Sequence, residues 1–285
     1  MLGRGVAEAN EKGDQDLILA ALHPCTATVD IAFANLESPL TSAPLVGHTY
    51  DLRADPSMGA ALVSADIDIV ALSNNHALDA GAKGLQETQQ TLLSLQIQPI
   101  GPDELSWVAK QNGLSLTWFA FDDISRQLDL EHAKRTLAAA RRQDSLIVVS
   151  IHWGAELDTA PNERQRYVAT ALAEAGADLI VGHHPHVLQP VQWLWGPGRG
   201  RPTLVAFSLG NAVFDQTSPP GSRYVALLRV DLGQAGITRV CAAPFQLDPR
   251  TWRILPASPT AAKSIARSLG LACVLSPNCE EAAQP

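Results

Sequence analysis

The sequence predicts an α/β fold in which helices pack against β-sheets. Short apolar runs recur along the chain, and helix-like segments separate several of them, which is the pattern of alternating strands and helices. Hydrophobic residues make up 46% of the 285 residues, enough for the core of one domain of this class. After about residue 221, two strand-like segments follow each other, joined by the hairpin signal "GQAG". We therefore expect a mixed sheet, or a second sheet beside the first.

Six apolar runs that end in polar or glycine residues are the predicted strands of the first part of the chain. In order they are "TVDIAFANLE", "IDIVALSNN", "LSLTWFAF", "SLIVVSIHW", "ADLIVGHH" and "TLVAFSLGN". The two strands of the predicted hairpin are "SRYVALLRVDL" and "GITRVCAAP".

Three segments between these strands have helical features. "AKGLQETQQTLLSLQ" has apolar residues near helical spacing, and "DLEHAKRTLAAARRQ" begins with acidic and ends with basic residues, which complements a helix dipole. "NERQRYVATALAEAGA" has a candidate N-cap at Asn162 and stops at Gly176. Residues 190–203, in contrast, form a predicted loop that is rich in Gly, Pro and Trp.

The end of the chain is rich in Pro, Ala and Ser, which indicates loose packing. We therefore predict one domain over residues 1–256 and a loosely ordered tail over 257–285. None of the four cysteines forms a CxxC pair, which argues against a zinc-thiolate site. Cys273 and Cys279 are close enough in sequence to close a small disulfide loop, and free thiols are the alternative.

Charge and hydropathy argue against two classes of partner. The formal net charge is −8, and the chain has no Lys/Arg run, so nucleic acid is not an expected partner. No apolar run reaches the roughly 18 residues that a membrane helix needs, and no signal peptide is visible. We therefore expect the chain as written to be soluble, with no membrane segment.

Polar residues gather at the points where the predicted strands end. In open α/β sheets, ligands bind beyond the carboxyl ends of the strands. Five strand ends thereby bring candidate ligands to one edge: Asn35, Glu37, Asn74, Asn75, His76, His152, His183, His184, His186 and Asn211. Imidazole, carboxylate and amide groups together suit divalent metals such as Zn, Mn, Fe or Ni. A purely structural cluster of hydrogen-bonded histidines is the alternative.

The stretch "VGHHPH" carries three of the eight histidines of the chain. Residues two apart in an extended backbone point to the same side, so His184 and His186 are expected to reach one metal region together. His183 would then point elsewhere. Pro185 stiffens the segment and favours an extended conformation at His184.

Five motifs together resemble the capsule synthesis protein CapA family, also called poly-γ-glutamate biosynthesis proteins. In chain order they are "FANLESPLT", "ALSNNHALDAGAKGL", "VVSIHWGAEL", "ADLIVGHHPHVLQPV" and "VAFSLGNAVFDQ". That family is similar to the calcineurin-like metallophosphoesterases. The resemblance implies a four-layer α/β/β/α sandwich with divalent metal ions of the Mn, Fe or Zn type.

The resemblance also implies roles for individual residues. Glu37 resembles the acidic residue that bridges two metals, Asn75 the amide ligand, and His76 the histidine that protonates the leaving group. The remaining metal ligands would be His152, His184 and His186, with His183 as the alternative to His184, which the same-side argument favours. The residues expected around the substrate are Arg4, Asn35, Asn74, His183 and Asn211, and a structural salt bridge is the alternative for Arg4.

The chain departs from the family pattern at its start. Relatives usually begin this domain with a strand that ends in a "GD.MLGRG"-like turn, whose Asp looks like a metal ligand. The sequence begins at "MLGRGV", so we expect the first strand and this carboxylate to be missing, and the site to hold two metals or one.

Two functions from different classes follow from the resemblance. The first is a metal-dependent hydrolase that acts on a phosphoester or a related bond, and a nuclease would share this chemistry. The second is a non-catalytic or single-metal component of polymer assembly or export. The expected partners are an anionic polymer or phosphoester substrate and other capsule-synthesis proteins, and relatives are often membrane-associated or exported.

Overall fold

The computed structural model describes residues 1–281 apart from 11–12, 48–49, 103–105, 143–144, 197–199 and 217. The strands of this part of the chain form three sheets. The first sheet is parallel, with the order β1-β2-β3, from β1 (Phe33–Asn35), β2 (Ile69–Ala71) and β3 (Gln98–Ile100). The second has the order β4-β5-β6-β7-β9-β8, from β4 (Trp107–Gln111), β5 (Leu114–Asp122), β6 (Ser145–His152), β7 (Leu179–His183), β8 (Leu188–Leu194) and β9 (Thr203–Leu209). The third is antiparallel, from β10 (Tyr224–Gly233), β11 (Gly236–Leu247) and β12 (Ile254–Pro256).

Seven α-helices lie among the described residues. They are α1 (Arg4–Ala9), α2 (His23–Thr26), α3 (Ala60–Ser64), α4 (Gly81–Ser94), α5 (Leu130–Ala140), α6 (Glu163–Ala175) and α7 (Pro259–Leu269). Short 3-10 turns occur at Gln15–Leu17, Ala20–Leu22, Pro56–Gly59 and Pro220–Arg223. No helix in this part of the chain is long and apolar enough to cross a membrane.

The predicted helices form because their ends are capped as the sequence indicates. At the start of α6, the Asn162 side chain accepts the backbone N–H of Gln165 (2.9 Å), and the Gln165 side chain accepts the N–H of Asn162 (3.0 Å). Gly176 ends the helix in the left-handed conformation (φ +119°). Asp129 caps the start of α5, because its side-chain oxygen accepts the backbone N–H of His132.

The parallel sheet and the six-stranded sheet pack face to face. Ile69 and Ala71 of β2 share an apolar core with Val148 of β6 and Ala206 of β9. Val70, which lies between them, belongs to a different core on the opposite side of the sheet. This alternation follows from the two-residue repeat of a strand, and it makes β2 buried on both faces.

Helices cover both outer faces of the paired sheets. Leu137 of α5 and Leu172 of α6 pack in a third core with Ile147 of the six-stranded sheet. On the opposite side, Leu92 of α4 shares a core with Val70. Burying a leucine side chain stabilises the fold by about 1.5–3 kcal/mol, so these contacts fix the layer order. The result is the α/β/β/α arrangement, and the predicted fold class is confirmed.

The strand predictions were too long at β1 and β2, and they missed β3, β4, β8 and β12. The run at 28–37 forms only the three residues of β1, because the Asp68 carboxylate takes the N–H of Ala32 (2.7 Å) that would continue the ladder. The predicted loop at 190–203 begins as the end of β8, and residues 197–199 lie outside the described part. β8 tolerates Pro190 because it is an edge strand that pairs only with β9.

The C-terminal part packs more closely than its composition predicts. Ile265 and Leu269 of α7 are buried in the core between the sheets, and the sparse apolar spacing of this helix hid it among Ala and Ser. The boundary between a domain at 1–256 and a tail at 257–285 remains a prediction. The proposed Cys273–Cys279 loop is wrong, because Cys273 bonds Cys241 and Cys279 bonds Cys25.

We expect loss of the Cys25–Cys279 disulfide to destabilise the protein strongly, because the bond joins residues 254 positions apart. The variant Cys25→Ser/Cys279→Ser should lose about 2–4 kcal/mol of unfolding free energy in urea denaturation followed by circular dichroism. The matched control is Cys241→Ser/Cys273→Ser, whose disulfide joins residues only 32 positions apart. Its loss should lower the unfolding free energy by a smaller amount. Equal midpoints for the first variant and the native chain would contradict the expectation.

Candidate metal centre

The histidines of the six-stranded sheet continue its apolar stripe. Leu146 and Val148 of β6 face the core between the sheets, and the same two-residue repeat carries His152 to that face at the carboxyl end of the strand. His183, the last residue of β7, pairs in register with His152. The imidazoles therefore lie where the core between the two sheets ends.

The facing parallel sheet supplies the oxygen ligands. Glu37 follows the end of β1, and Asn75 and His76 follow the end of β2. Asn74 joins these segments, because its amide donates to the carbonyl of Leu36 (2.9 Å) and its oxygen accepts the N–H of His76 (3.1 Å). The strand ends therefore belong to two facing sheets, whereas the sequence pattern suggested one edge.

Glu37 lies at the centre of the cluster. Its Oε1 is 3.2 Å from Nε2 of His152 and 3.9 Å from Nε2 of His186. Ligand atoms of Glu37, His184 and His186 all lie within 4.8 Å of one another, and the three residues are buried. The ring centroid of His184 is 4.9 Å from that of His152 and 5.7 Å from that of His186. Residues far apart in the chain thus converge on one point.

The backbone of "HPH" is not extended, so the prediction that an extended strand points His184 and His186 to the same side is wrong. His184 has φ +94° and His186 has φ +58°, and β7 ends one residue earlier at His183. The carbonyl of Pro185 accepts the N–H of Leu157 (2.8 Å), which holds this bend from the loop between β6 and α6. Both histidines still approach Glu37, because the chain turns over the site instead of running straight past it.

Buried polar atoms without hydrogen-bond partners surround this point. Among the described residues they include Glu37 Oε1, Asn75 Oδ1, both ring nitrogens of His152, His183 Nε2 and His184 Nδ1. Glu37 and His152 are close, but their geometry lacks the alignment of a hydrogen bond. Each unsatisfied buried group costs about 1–3 kcal/mol, and a bound cation would remove this cost. The donor set therefore fits a divalent metal ion.

The protonation states of the cluster also suit a cation. Burial alone would raise the pKa of Glu37, but the neighbouring His152 and His186 outweigh it and hold that pKa well below its usual range. Burial lowers the pKa of His184 to about 3, with a contribution from His152. An ionised carboxylate and a neutral imidazole are the forms that bind metals.

His76 is paired with a carboxylate that the chain buries completely. Its Nδ1 lies 3.0 Å from Oδ2 of Asp79, whose side chain is 0% exposed. Burial acts to lower the pKa of His76, but the hydrogen bond and the charge of Asp79 outweigh it and raise the pKa. This contact fixes the ring and commits Nδ1 to the carboxylate.

The five residues expected around the substrate differ in their surroundings. His183 packs its ring against Phe33 (5.9 Å between centroids). The Oδ1 of Asn35 accepts a long bond from Asn74 (3.4 Å), and Asn74 itself is committed to the backbone. The Oδ1 of Asn211 lies 2.8 Å from Nδ1 of His186.

Arg4 lies beside the cluster instead of in it. Its guanidinium pairs with Asp215 (3.3 Å) and lies 5.7 Å from the ring centroid of Phe214, which is itself 5.2 Å from the ring of His186. Sequence reasoning missed both Phe214 and Asp215, although the motif "VAFSLGNAVFDQ" contains them. The sequence marked these two residues as site candidates only by their position, a few residues beyond the end of β9.

The chain is similar to proteins of known families over most of its length. The family model of the bacterial capsule synthesis protein PGA_cap matches residues 1–216. The PGA biosynthesis protein CapA of Bacillus subtilis (strain 168) is 30% identical over 274 residues, covering 88% of this chain and 70% of that protein. The capsule biosynthesis protein CapA of Bacillus anthracis is 29% identical, covering 76% of this chain and 58% of that protein.

A solved structure supports the fold. The NAD nucleotidase NadN of Haemophilus influenzae superimposes with a TM-score of 0.53 at 14% identity, covering 91% of this chain and 56% of that chain. At this identity the likeness concerns the fold alone. It agrees with the α/β/β/α arrangement of the sheets.

We expect Gly182→Ala to disrupt the strand that leads into the histidines. A Cβ at this position would lie 2.1 Å from the carbonyl oxygen of Phe207 and 2.3 Å from Nε1 of Trp153, which hydrogen-bond each other. The variant should lose about 1–3 kcal/mol of unfolding free energy in urea. Gly221→Ala, whose Cβ would meet nothing within 4 Å, is the control and should stay within about 0.5 kcal/mol of the native value. Equal stability of the two variants would contradict this reading.

Proposed function

Because this chain belongs to the bacterial capsule synthesis protein PGA_cap family, we propose that it serves capsule or poly-γ-glutamate biosynthesis as a metal-dependent hydrolase of the phosphoesterase type. The observation that carries the proposal is the convergence of Glu37, His184 and His186 among buried donors that have no hydrogen-bond partners. Such groups are costly to bury without a ligand, and a hydrolytic metal site explains why the fold retains them.

The proposed cofactor is one or two divalent ions of the Mn, Fe or Zn type. Glu37, His184 and His186 would hold the first, His152 lies 3.2 Å from Glu37 through its Nε2, and Asn75 is the further ligand that the resemblance implies. Mixed nitrogen and oxygen donors are the ligand types that these metals accept. When bound, the ion would polarise the phosphoryl group and lower the pKa of a water molecule.

In this proposal His76 is the general acid. Asp79 holds Nδ1, and its hydrogen bond and charge raise the pKa of the ring against the opposing effect of burial, which favours the protonated form that a general acid needs. Proton transfer to the leaving oxygen would take place at Nε2. His76 shares the loop after β2 with Asn75, and this short connection ties the acid to the metal ligands.

The proposed substrate is a phosphoester or an anionic polymer. Arg4 is the cation beside the cluster, with a side chain that is 40% exposed, and it would attract the anionic group. Asn35 and His183 are the further proposed substrate contacts. Other capsule-synthesis proteins are the proposed partners, in keeping with the names of the relatives.

One observation favours a second candidate, a non-catalytic or single-metal component of polymer assembly or export. Within the described residues, a single group of three His, Cys, Asp or Glu ligands is close enough to hold an ion. A lone ion would support binding and structure without the paired-metal chemistry of a phosphoesterase.

We expect cation binding to stabilise the protein. After removal of metals with a chelator, Mn²⁺ at 100 times its dissociation constant should add about 2.7 kcal/mol to the unfolding free energy. Thermal unfolding with and without Mn²⁺ measures this change. Glu37→Gln should abolish the shift, because it removes the central carboxylate. An equal shift in native and variant protein would argue against this site.

We expect His76→Ala to lower kcat by about 10²–10⁴-fold while metal content stays unchanged. The loss should be larger for an alkyl phosphodiester than for a nitrophenyl phosphodiester, because a nitrophenolate leaves with little need for a proton. The control is His23→Ala, an exposed histidine that pairs with Asp66 before the start of β2. Native protein that binds metal without any turnover would favour the assembly role, and equal losses for both substrates would remove His76 as the acid.

A further inference from the structure

We propose that Asn211 is a positioning residue that fixes the ring of His186 so that Nε2 presents its lone pair to the cation. The inference rests on the metal site of the proposed function, but not on hydrolysis. It replaces the substrate contact that the sequence predicted for Asn211.

Asn211 is fully engaged by three hydrogen bonds. It lies just beyond the end of β9 and is 7% exposed. Its Nδ2 donates to the carbonyl of His186 (3.2 Å) and to the carbonyl of Ser222 (3.2 Å), and its Oδ1 lies 2.8 Å from Nδ1 of His186. Both amide hydrogens and the oxygen are therefore used within the protein, which leaves little for a substrate.

These bonds determine the tautomer of His186. The partners of Nδ2 are carbonyl oxygens, which only accept, so the NH₂ group of Asn211 must face them and the oxygen must face the ring. An amide oxygen cannot donate, so Nδ1 of His186 carries the hydrogen. In the neutral ring, which is the form that binds a metal, the lone pair is then on Nε2, the nitrogen that lies 3.9 Å from Oε1 of Glu37.

The same side chain also holds the backbone of His186. One bond goes to the ring and another to the carbonyl of the same residue, so both the ring orientation and the unusual φ of +58° are fixed together. Metal-ligating histidines usually donate their second nitrogen to such a partner, and loss of the partner weakens metal affinity. An asparagine is suited to this position because it combines one acceptor with two donors.

The test compares Asn211→Ala with a matched control, Asn10→Ala. Asn10 is 1% exposed and also makes three bonds, from Nδ2 to the carbonyls of Val6 and Thr251 and from Nε of Arg253 to its Oδ1. Calorimetric titration of Mn²⁺ should give affinity about 10–100-fold weaker for Asn211→Ala, and native affinity for Asn10→Ala. Native affinity in both variants would overturn the proposal.

A second readout is independent of metal binding. Nitrogen NMR of the metal-free native protein should give the tautomer of His186 with hydrogen on Nδ1. This measurement needs no variant, so it decides the tautomer even if Asn211→Ala does not fold. A His186 ring with hydrogen on Nε2 and none on Nδ1 in the native protein would overturn the positioning role. Native protein that binds no Mn²⁺ would instead overturn the proposed function, and the tautomer would then decide the inference alone.

Discussion

The site depends on keeping one carboxylate ionised in a place where burial disfavours its charge. Glu37 is 6% exposed, yet the imidazoles of His152 and His186 outweigh the desolvation and keep its pKa low. The surrounding donors lack hydrogen-bond partners, so the cluster is costly unless a cation completes it. The unpaired donors therefore lower the stability of the fold, and the same donors can bind a cation.

The layered fold makes this arrangement possible. The two facing sheets end at the same level, so each delivers its last polar residues to a shared space while the apolar residues before them form the core. Hydrogen bonds from a side chain and from the backbone then fix the segments that leave the sheets. Asn74 ties the turn after β2 to the segment of Glu37, and Leu157 binds the carbonyl between His184 and His186. The donors are thus held by the fold before any ion binds.

Local sequence signals predicted the elements whose stabilising contacts are local. Caps at Asn162 and Gly176 bound α6 as expected, since they act within one turn of the chain. β8 was missed because the Gly, Pro and Trp residues at 190–203 indicated a loop, and α7 was missed because its stability comes from the core between the sheets. The extended-strand argument for "HPH" failed because backbone conformation there is set by contacts with the loop at Leu157.

The sequence by itself determined the chemical types of the site: which strand ends carry imidazole, carboxylate and amide groups, and the family to which the motifs belong. The tertiary structure alone decided which of these groups share one point in space, since Glu37 and His186 meet only when the two sheets pack face to face. The pairing of Cys25 with Cys279 and the orientation of the His186 ring have the same origin. Residue types are written in the chain, whereas distances between remote residues are set by the packing of its layers.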